Sequence, residues 1–283
     1  MGRECCKRGK MDLSIIKKQI KETELFLFDM DGTLYLGDRL FDFSKELLAE
    51  IRGQGKKCLF LTNNSSKSVL DYVKKLKKLG IDATEDDFMT SSGATAYYLK
   101  KNLPEAVIYV CGTQSLKDEL KRNGFEIRED ITDDITAVLM GFDTELNFKK
   151  LHDVSYLLTT RSELDYIATN PDMVCPTEFG SVPDCGSVCE MIFNSTGRRP
   201  IVIGKPSPLM PQLAMDKEGV DAAHTALVGD RIYTDIKSAL NAGAAGYLVM
   251  SGETTYEILE KSEDKPTAVF ESGADILEIL KTR

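Results

Sequence analysis

The sequence lacks any apolar run approaching the ~20 residues that cross a bilayer as a helix, so no membrane partner is expected. It also lacks a basic excess. Its 36 Lys and Arg face 45 Asp and Glu, leaving a net charge of −9, which argues against a nucleic-acid partner. The basic start, Met1 to Lys10, has no apolar stretch of the secretory kind, so a cytoplasmic location is expected. Histidine is scarce: His152 falls in a predicted helix and His224 in a turn before a predicted strand, and neither is read as catalytic. The seven cysteines are odd in number and scattered, which argues for reduced thiols and against a disulfide framework. No C-x-x-C pair occurs, so Cys175, Cys185 and Cys189 are not read as a metal-thiolate site. At 283 residues the chain exceeds one typical domain, and 42% hydrophobic with 29% charged residues is ordinary for a globular protein.

What the chain does have is a short apolar run that ends in acid. Leu25-Phe26-Leu27-Phe28 reads as a buried strand, and Asp29-Met30-Asp31-Gly32-Thr33 follows it. Gly-Thr breaks the strand, so both carboxylates sit in a turn. At the carboxyl end of a parallel strand, that turn lies where open α/β sheets hold their ligands. Two acids this close repel each other unless a cation or a reaction uses them. A calcium loop carries Gly at its sixth and Glu at its twelfth position. Counted from Asp29, those places hold Leu34 and Leu40, so that reading fails. Asp29 is therefore read as a nucleophile and Asp31 as its acid/base partner.

The remaining chain alternates strand and helix patterns. Ile15, Ile16 and Ile20 suggest a short first helix; Ser44 is expected to cap a second, with Leu47, Leu48 and Ile51 on its apolar face and Gly53 and Gly55 at its end. The strand Cys58-Leu59-Phe60-Leu61 ends in Thr62-Asn63-Asn64-Ser65-Ser66, a cluster of hydroxyls and amides that could cap the next helix or bind phosphate. Thr62, at the strand tip, is read as a phosphate-binding hydroxyl. Helices through Val69 to Leu79 and Ser91 to Lys101 complete a βαβα pattern, the signature of a parallel sheet covered on both faces. The pattern restarts near Leu103, so a second α/β unit is expected to be inserted into the first: core over 1–103, inserted unit over 104–199, core again over 200–283. Beyond it, Gly204-Lys205-Pro206-Ser207-Pro208 holds Lys205 in a stiff loop before a helix. Thr225-Ala226-Leu227-Val228-Gly229-Asp230 repeats the opening design, and Asp235 follows at a helix start.

If these strand tips are neighbours, Asp29, Asp31, Thr62, Lys205, Asp230 and Asp235 converge. Four carboxylates at one point call for a hard divalent cation, and Mg²⁺ suits a site with few protein ligands. Lys205 and Thr62 would bind phosphoryl oxygens. Asp29 would form an aspartyl-phosphate. Asp31 would protonate the leaving oxygen and later take a proton from water.

The same residues carry a resemblance. Asp29-Met30-Asp31-Gly32-Thr33, Thr62, Lys205, and Gly229-Asp230 with Asp235 resemble the four motifs of the haloacid dehalogenase-like hydrolase superfamily. Leu61 to Ser65, Ile167 to Asp172, Gly204 to Pro208 and Val228 to Ile236 are similar to its nitrophenylphosphatase and pyridoxal phosphate phosphatase-like branch. The resemblance implies a Rossmann-like three-layer α/β core with a parallel sheet and an inserted α/β cap of the second type. It implies a Mg²⁺-dependent phosphatase of small phosphorylated metabolites. Its metal ligands would be the Asp29 carboxylate, the Asp31 backbone carbonyl and the Asp230 carboxylate, supported by Asp235. Asn63 and Asn64 would contact the phosphate, and a homodimer through the cap is a candidate assembly. Two other readings share the acidic cluster: a phosphotransferase or phosphomutase, and a phospho-accepting signalling domain without turnover. Asp31 speaks against the last, because it supplies the acid/base that such a domain lacks. Arg231, Tyr233, Asn170, Asp172 and Glu178 could border the substrate, although packing or surface roles are the simpler reading.

Overall fold

A computed structural model describes residues 13–64, 69–177 and 179–282, with the backbone alone at Pro176. Expectations on Cys5, Cys6, Ser65, Ser66 and Glu178 lie outside the described residues. The chain divides into two compact units: Met1–Leu61 with Val69–Met89 and Lys205–Arg283, and Thr62–Ser68 with Thr90–Gly204.

The first unit contains α1 (Leu13–Glu22), β1 (Leu25–Phe28), a hairpin of β2 (Tyr35–Leu36) and β3 (Arg39–Leu40), α2 (Ser44–Gly53), β4 (Lys57–Thr62), α3 (Val69–Leu79) and β5 (Phe88–Thr90). It resumes with α8 (Leu209–Glu218), β13 (Thr225–Gly229), α9 (Lys237–Asn241), β14 (Ala245–Val249), α10 (Tyr256–Lys261), β15 (Ala268–Phe270) and α11 (Gly273–Lys281). Its sheet runs β15-β14-β13-β1-β4-β5. β1 pairs in parallel with both β13 and β4, setting Phe28 opposite Val228 and Phe60. From β1 the chain proceeds to one side of the sheet and from β13 to the other, so the loops leaving these neighbours diverge. That crevice at the carboxyl ends of β1 and β13 is where open parallel sheets take ligands.

Side chains alternate across a strand, and here both faces are covered. Phe26 and Phe28 join a cluster with Ile20 of α1, Leu47 and Ile51 of α2 and Ile276 of α11. Leu25 and Leu27 are equally buried and face the other way, toward the layer where α8 meets β1. Each buried aromatic of this kind contributes roughly 1.5–3 kcal/mol. The result is the three-layer α/β core. One local expectation needs correction: Ser44 does not cap α2. Phe43 stands at the cap, and the buried Ser44 hydroxyl donates to the Leu34 carbonyl at 2.6 Å.

The second unit contains α4 (Ser91–Asn102), β6 (Val107–Cys111), α5 (Gln114–Arg122), β7 (Glu126–Arg128), β8 (Ala137–Met140), α6 (Phe148–Thr160), β9 (Asp165–Ala168), β10 (Val174–Thr177), β11 (Gly180–Pro183), α7 (Cys185–Thr196) and β12 (Ile201–Val202). Its sheet runs β12-β9-β8-β6-β7 with parallel pairs throughout, beside an antiparallel β10–β11 hairpin. Thr113, Asn147 and Asp184 cap α5, α6 and α7 through their side-chain oxygens. Here α4 and β12 group with the inserted unit, outside the span 104–199. No helix among the described residues is long and apolar enough to cross a membrane, and Cys58, Cys111, Cys175, Cys185 and Cys189 are free thiols.

Candidate active site

Asp29 follows β1 directly, and its N–H continues the ladder by donating to the Val228 carbonyl at 2.9 Å. The chain then turns. The Leu34 N–H donates to the Met30 carbonyl, and the Gly32 N–H to the Tyr35 carbonyl at 2.7 Å. Gly32 holds φ +84°, and a Cβ there would lie 2.4 Å from Asp230 Oδ2, so the turn needs glycine for both conformation and space. Asp31 sits on this turn with its side chain exposed, and Oδ1 accepts from the Gly37 N–H at 3.2 Å.

Lys205 is the pivot. Its ammonium donates to Asp29 Oδ1 at 2.7 Å, to Asp235 Oδ1 at 2.6 Å and to the Leu61 carbonyl at 3.4 Å. The lysine side chain is 3% exposed and Asp235 is fully buried. Burial alone would lower the lysine pKa; the Asp235 and Asp29 carboxylates outweigh it and hold the group charged. The loop that presents Lys205 is tied to α9, where Ser238 donates to the Ser207 carbonyl at 2.7 Å and Asn241 to the Pro206 carbonyl at 3.0 Å. Asp235 lies in a π-helical turn over Ile232–Ile236 that leads into α9. Its second oxygen accepts from the Arg231 N–H at 3.1 Å.

Asp230 follows β13. Oδ2 accepts from the Glu253 N–H at 2.7 Å, while the buried Oδ1 has no hydrogen-bond partner among the described residues. Carboxylate oxygens of Asp29, Asp230 and Asp235 all lie within 4.8 Å of one another. Burial first, then the charges of Asp29 and Asp235, push the Asp230 pKa up to about 7. Burial raises Asp235 to about 6 against the pull of Lys205. A buried, unpartnered carboxylate oxygen beside two further acids is an incomplete arrangement that a cation of oxygen preference fits.

Thr62 ends β4, and its hydroxyl accepts from the Asn64 N–H at 3.2 Å. The Asn63 amide donates to Asp172 Oδ1 at 3.3 Å, and its carbonyl accepts from Ser91 at 2.7 Å. Asn170 is fully buried and donates to Asp172 and Asp184, a network within the inserted unit. Arg231 and the half-exposed Tyr233 both bond Glu253. His152 lies on α6 against Asp153, and His224 pairs with Asp221 at the surface. The structure thus gathers Asp29, Lys205, Asp230 and Asp235. The sequence reading missed the segment after β14, where Ser251 donates to the Gly32 carbonyl at 2.7 Å and Gly252 packs against Asp230. Its signal was available: Ser-Gly-Glu-Thr lies just beyond the carboxyl end of a parallel strand.

Comparison with known proteins addresses this architecture. Residues 26–126 match the family model of the haloacid dehalogenase-like hydrolases, and residues 202–276 match a second model of HAD-hydrolase-like proteins. An acid sugar phosphatase of Staphylococcus haemolyticus is 34% identical over 251 residues, covering 89% of this chain and 94% of that protein. The crystal structure of a 4-nitrophenylphosphatase from Thermotoga maritima is 41% identical with a TM-score of 0.84, covering 93% of this chain and 98% of the other. A glycerol phosphate phosphatase from Mycobacterium tuberculosis, solved in complex with magnesium, is 29% identical with a TM-score of 0.81, covering 93% and 77%. With motif-bearing strands and sequence pointing the same way, the chain belongs to the haloacid dehalogenase-like hydrolases.

Proposed function

We propose that this chain is a Mg²⁺-dependent phosphatase that hydrolyses small phosphomonoesters through an aspartyl-phosphate at Asp29. Nitrophenyl, sugar or cofactor phosphates are the substrate class, and relatives are named for the first two. The observation that carries the reading is the buried Asp230 carboxylate, whose Oδ1 has no hydrogen-bond partner among the described residues, in a cluster where carboxylate oxygens of Asp29, Asp230 and Asp235 lie within 4.8 Å of one another. Asp29, Asp230 and the Asp31 backbone carbonyl would hold Mg²⁺, with Asp235 behind them. A bound Mg²⁺ supplies charge neutralisation at the phosphoryl oxygens and keeps the crowded carboxylates ionised.

Asp29 attacks phosphorus, the new Asp29 O–P bond forms, and the bond to the ester oxygen breaks. Asp31 delivers its proton to that leaving oxygen. In the second half, Asp31 takes a proton from water, the water oxygen bonds to phosphorus, and the Asp29 O–P bond breaks to release inorganic phosphate. Lys205, kept charged by its two acids, orients Asp29 and neutralises a phosphoryl oxygen. Thr62, Asn63 and Asn64 are assigned to the remaining phosphate oxygens. A reducing, cytoplasmic setting accords with the free thiols, and a homodimer through the inserted unit is open to light scattering.

Release of phosphate from p-nitrophenyl phosphate tests the proposal. Asp29→Asn should lower it by about a thousandfold or more while leaving the protein folded, because an amide cannot attack phosphorus. Chelation should stop release and Mg²⁺ should restore it. Activity of the variant within about tenfold of wild type would remove Asp29 as nucleophile. An isomer in place of free phosphate would mark a mutase, and a lasting phosphoprotein a signalling domain.

A further inference from the structure

The segment Ser251 to Thr254 touches the proposed cation site from a direction none of the four motifs supplies. Its backbone grips Asp230 at both ends. The Glu253 N–H donates to Oδ2 at 2.7 Å, and the Thr254 N–H donates to the Asp230 carbonyl at 3.2 Å. Thr254 is itself buried, and its hydroxyl accepts from the Ile232 N–H at 3.3 Å. Ser251 reaches across to the Gly32 carbonyl in the turn that carries Asp29 and Asp31. Gly252 lies so close that a Cβ would stand 2.0 Å from Asp230 Oδ2. One loop therefore joins the β1 turn to the β13 tip. It gives one Asp230 oxygen a donor, while the other has none among the described residues.

The Glu253 side chain ties this loop to the residues that follow Asp230. One carboxylate oxygen accepts from Arg231 Nε at 2.9 Å and the other from the Tyr233 hydroxyl. The same contact holds the Arg231 guanidinium. We propose that Glu253 is a positioning residue that fixes residues 251–254 against Asp230 and so sets how tightly the site holds a divalent cation. The inference rests on the reading of the acidic cluster as a Mg²⁺ site. Groups that orient a ligand from behind typically change metal affinity 10–100-fold when removed.

The test is calorimetric titration of the full chain, stripped with EDTA, with Mg²⁺ alone. Glu253→Ala should weaken Mg²⁺ binding by about tenfold or more. Ser251→Ala should shift it less, in the same direction, and Glu253→Gln, which retains one acceptor, should fall between wild type and Glu253→Ala. At saturating Mg²⁺ the KM for p-nitrophenyl phosphate should stay within about twofold of wild type, because the brace touches metal ligands and not the ester. The Tm in chelator should barely move, since an ion pair this exposed contributes little to stability. A lowered Tm with unchanged Mg²⁺ affinity would make Glu253 merely structural and overturn the proposal. Should Glu253→Ala not fold, Ser251→Ala decides: unchanged affinity there overturns it equally. Wild-type protein that takes up no Mg²⁺ would overturn the brace together with the proposed function, whereas binding by wild type and variants alike overturns the brace alone.

Discussion

Lys205 shows how one side chain can decide the state of a site. It lies between Asp29 and Asp235, almost without solvent, and is the countercharge that, among the described residues, bonds both. Lys205→Met would leave three carboxylates within 4.8 Å of one another without the ammonium that bonds two of them. Removing one partner of a buried pair costs roughly 3–5 kcal/mol. Urea unfolding in chelator should register a loss of that order, and phosphate release should vanish even with Mg²⁺ present; a variant as stable and as active as wild type would contradict the pivot. Asp29, Lys205 and Asp230 were legible because each stands just beyond an apolar run, where strand ends deliver side chains. Glu253 and Gly252 were not, for a physical reason. Their place just beyond a parallel strand is visible, but Glu253 acts through its backbone N–H and its side-chain contacts to Arg231 and Tyr233, and Gly252 through the absence of a Cβ, and those roles do not show in a sequence read on its own.

Elements with unbroken apolar runs or clear periodicity were equally legible: β1, β4 and β13 follow from burial, and the helices between them from 3.6-residue spacing. Those that depend on distant partners were not. The β2–β3 and β10–β11 hairpins carry too few residues for a periodic signal, and the start of α2 is decided by a bond from Ser44 to Leu34 that spans ten positions. The entry of α7 is a third case. Asp184 caps it, and Gly186, two residues on, passes so close to the Asn170 loop that a Cβ would meet the Pro171 carbonyl oxygen at 2.1 Å. That neighbour is backbone and cannot rotate away. Gly186→Ala, favourable by helix propensity, should therefore destabilise the protein by about 2 kcal/mol. The variant's urea midpoint would show it, and a midpoint at or above that of wild type would mean the loop yields freely.

For the molecule as a whole, an inserted second α/β unit was readable from the restart of the strand-helix pattern. Its limits were harder, because β12 is only two residues long and belongs with the inserted unit through its pairing to β9, more than thirty residues earlier. What the whole first unit carries is a stability that should depend on pH and metal together. Without a cation, burial and neighbouring charge raise Asp230 to about 7, and burial raises Asp235 to about 6. In the unfolded chain both titrate near 3.9. The folded protein thus retains protons that the unfolded chain has released. This contribution to stability is complete below about pH 4 and is lost as the pH rises through 6 and 7. Mg²⁺ takes the place of those protons and binds the ionised carboxylates, so it should stabilise more at pH 8 than at pH 5. Thermal unfolding of chelated and Mg²⁺-loaded protein across this range should show the gap in Tm widening with pH. A change of about 1 kcal/mol would correspond to roughly 2–4 °C for a chain of this size. A gap that stayed constant or narrowed would mean that protons and the cation do not compete for the same carboxylates, and the acidic cluster would then owe its arrangement to something other than metal binding.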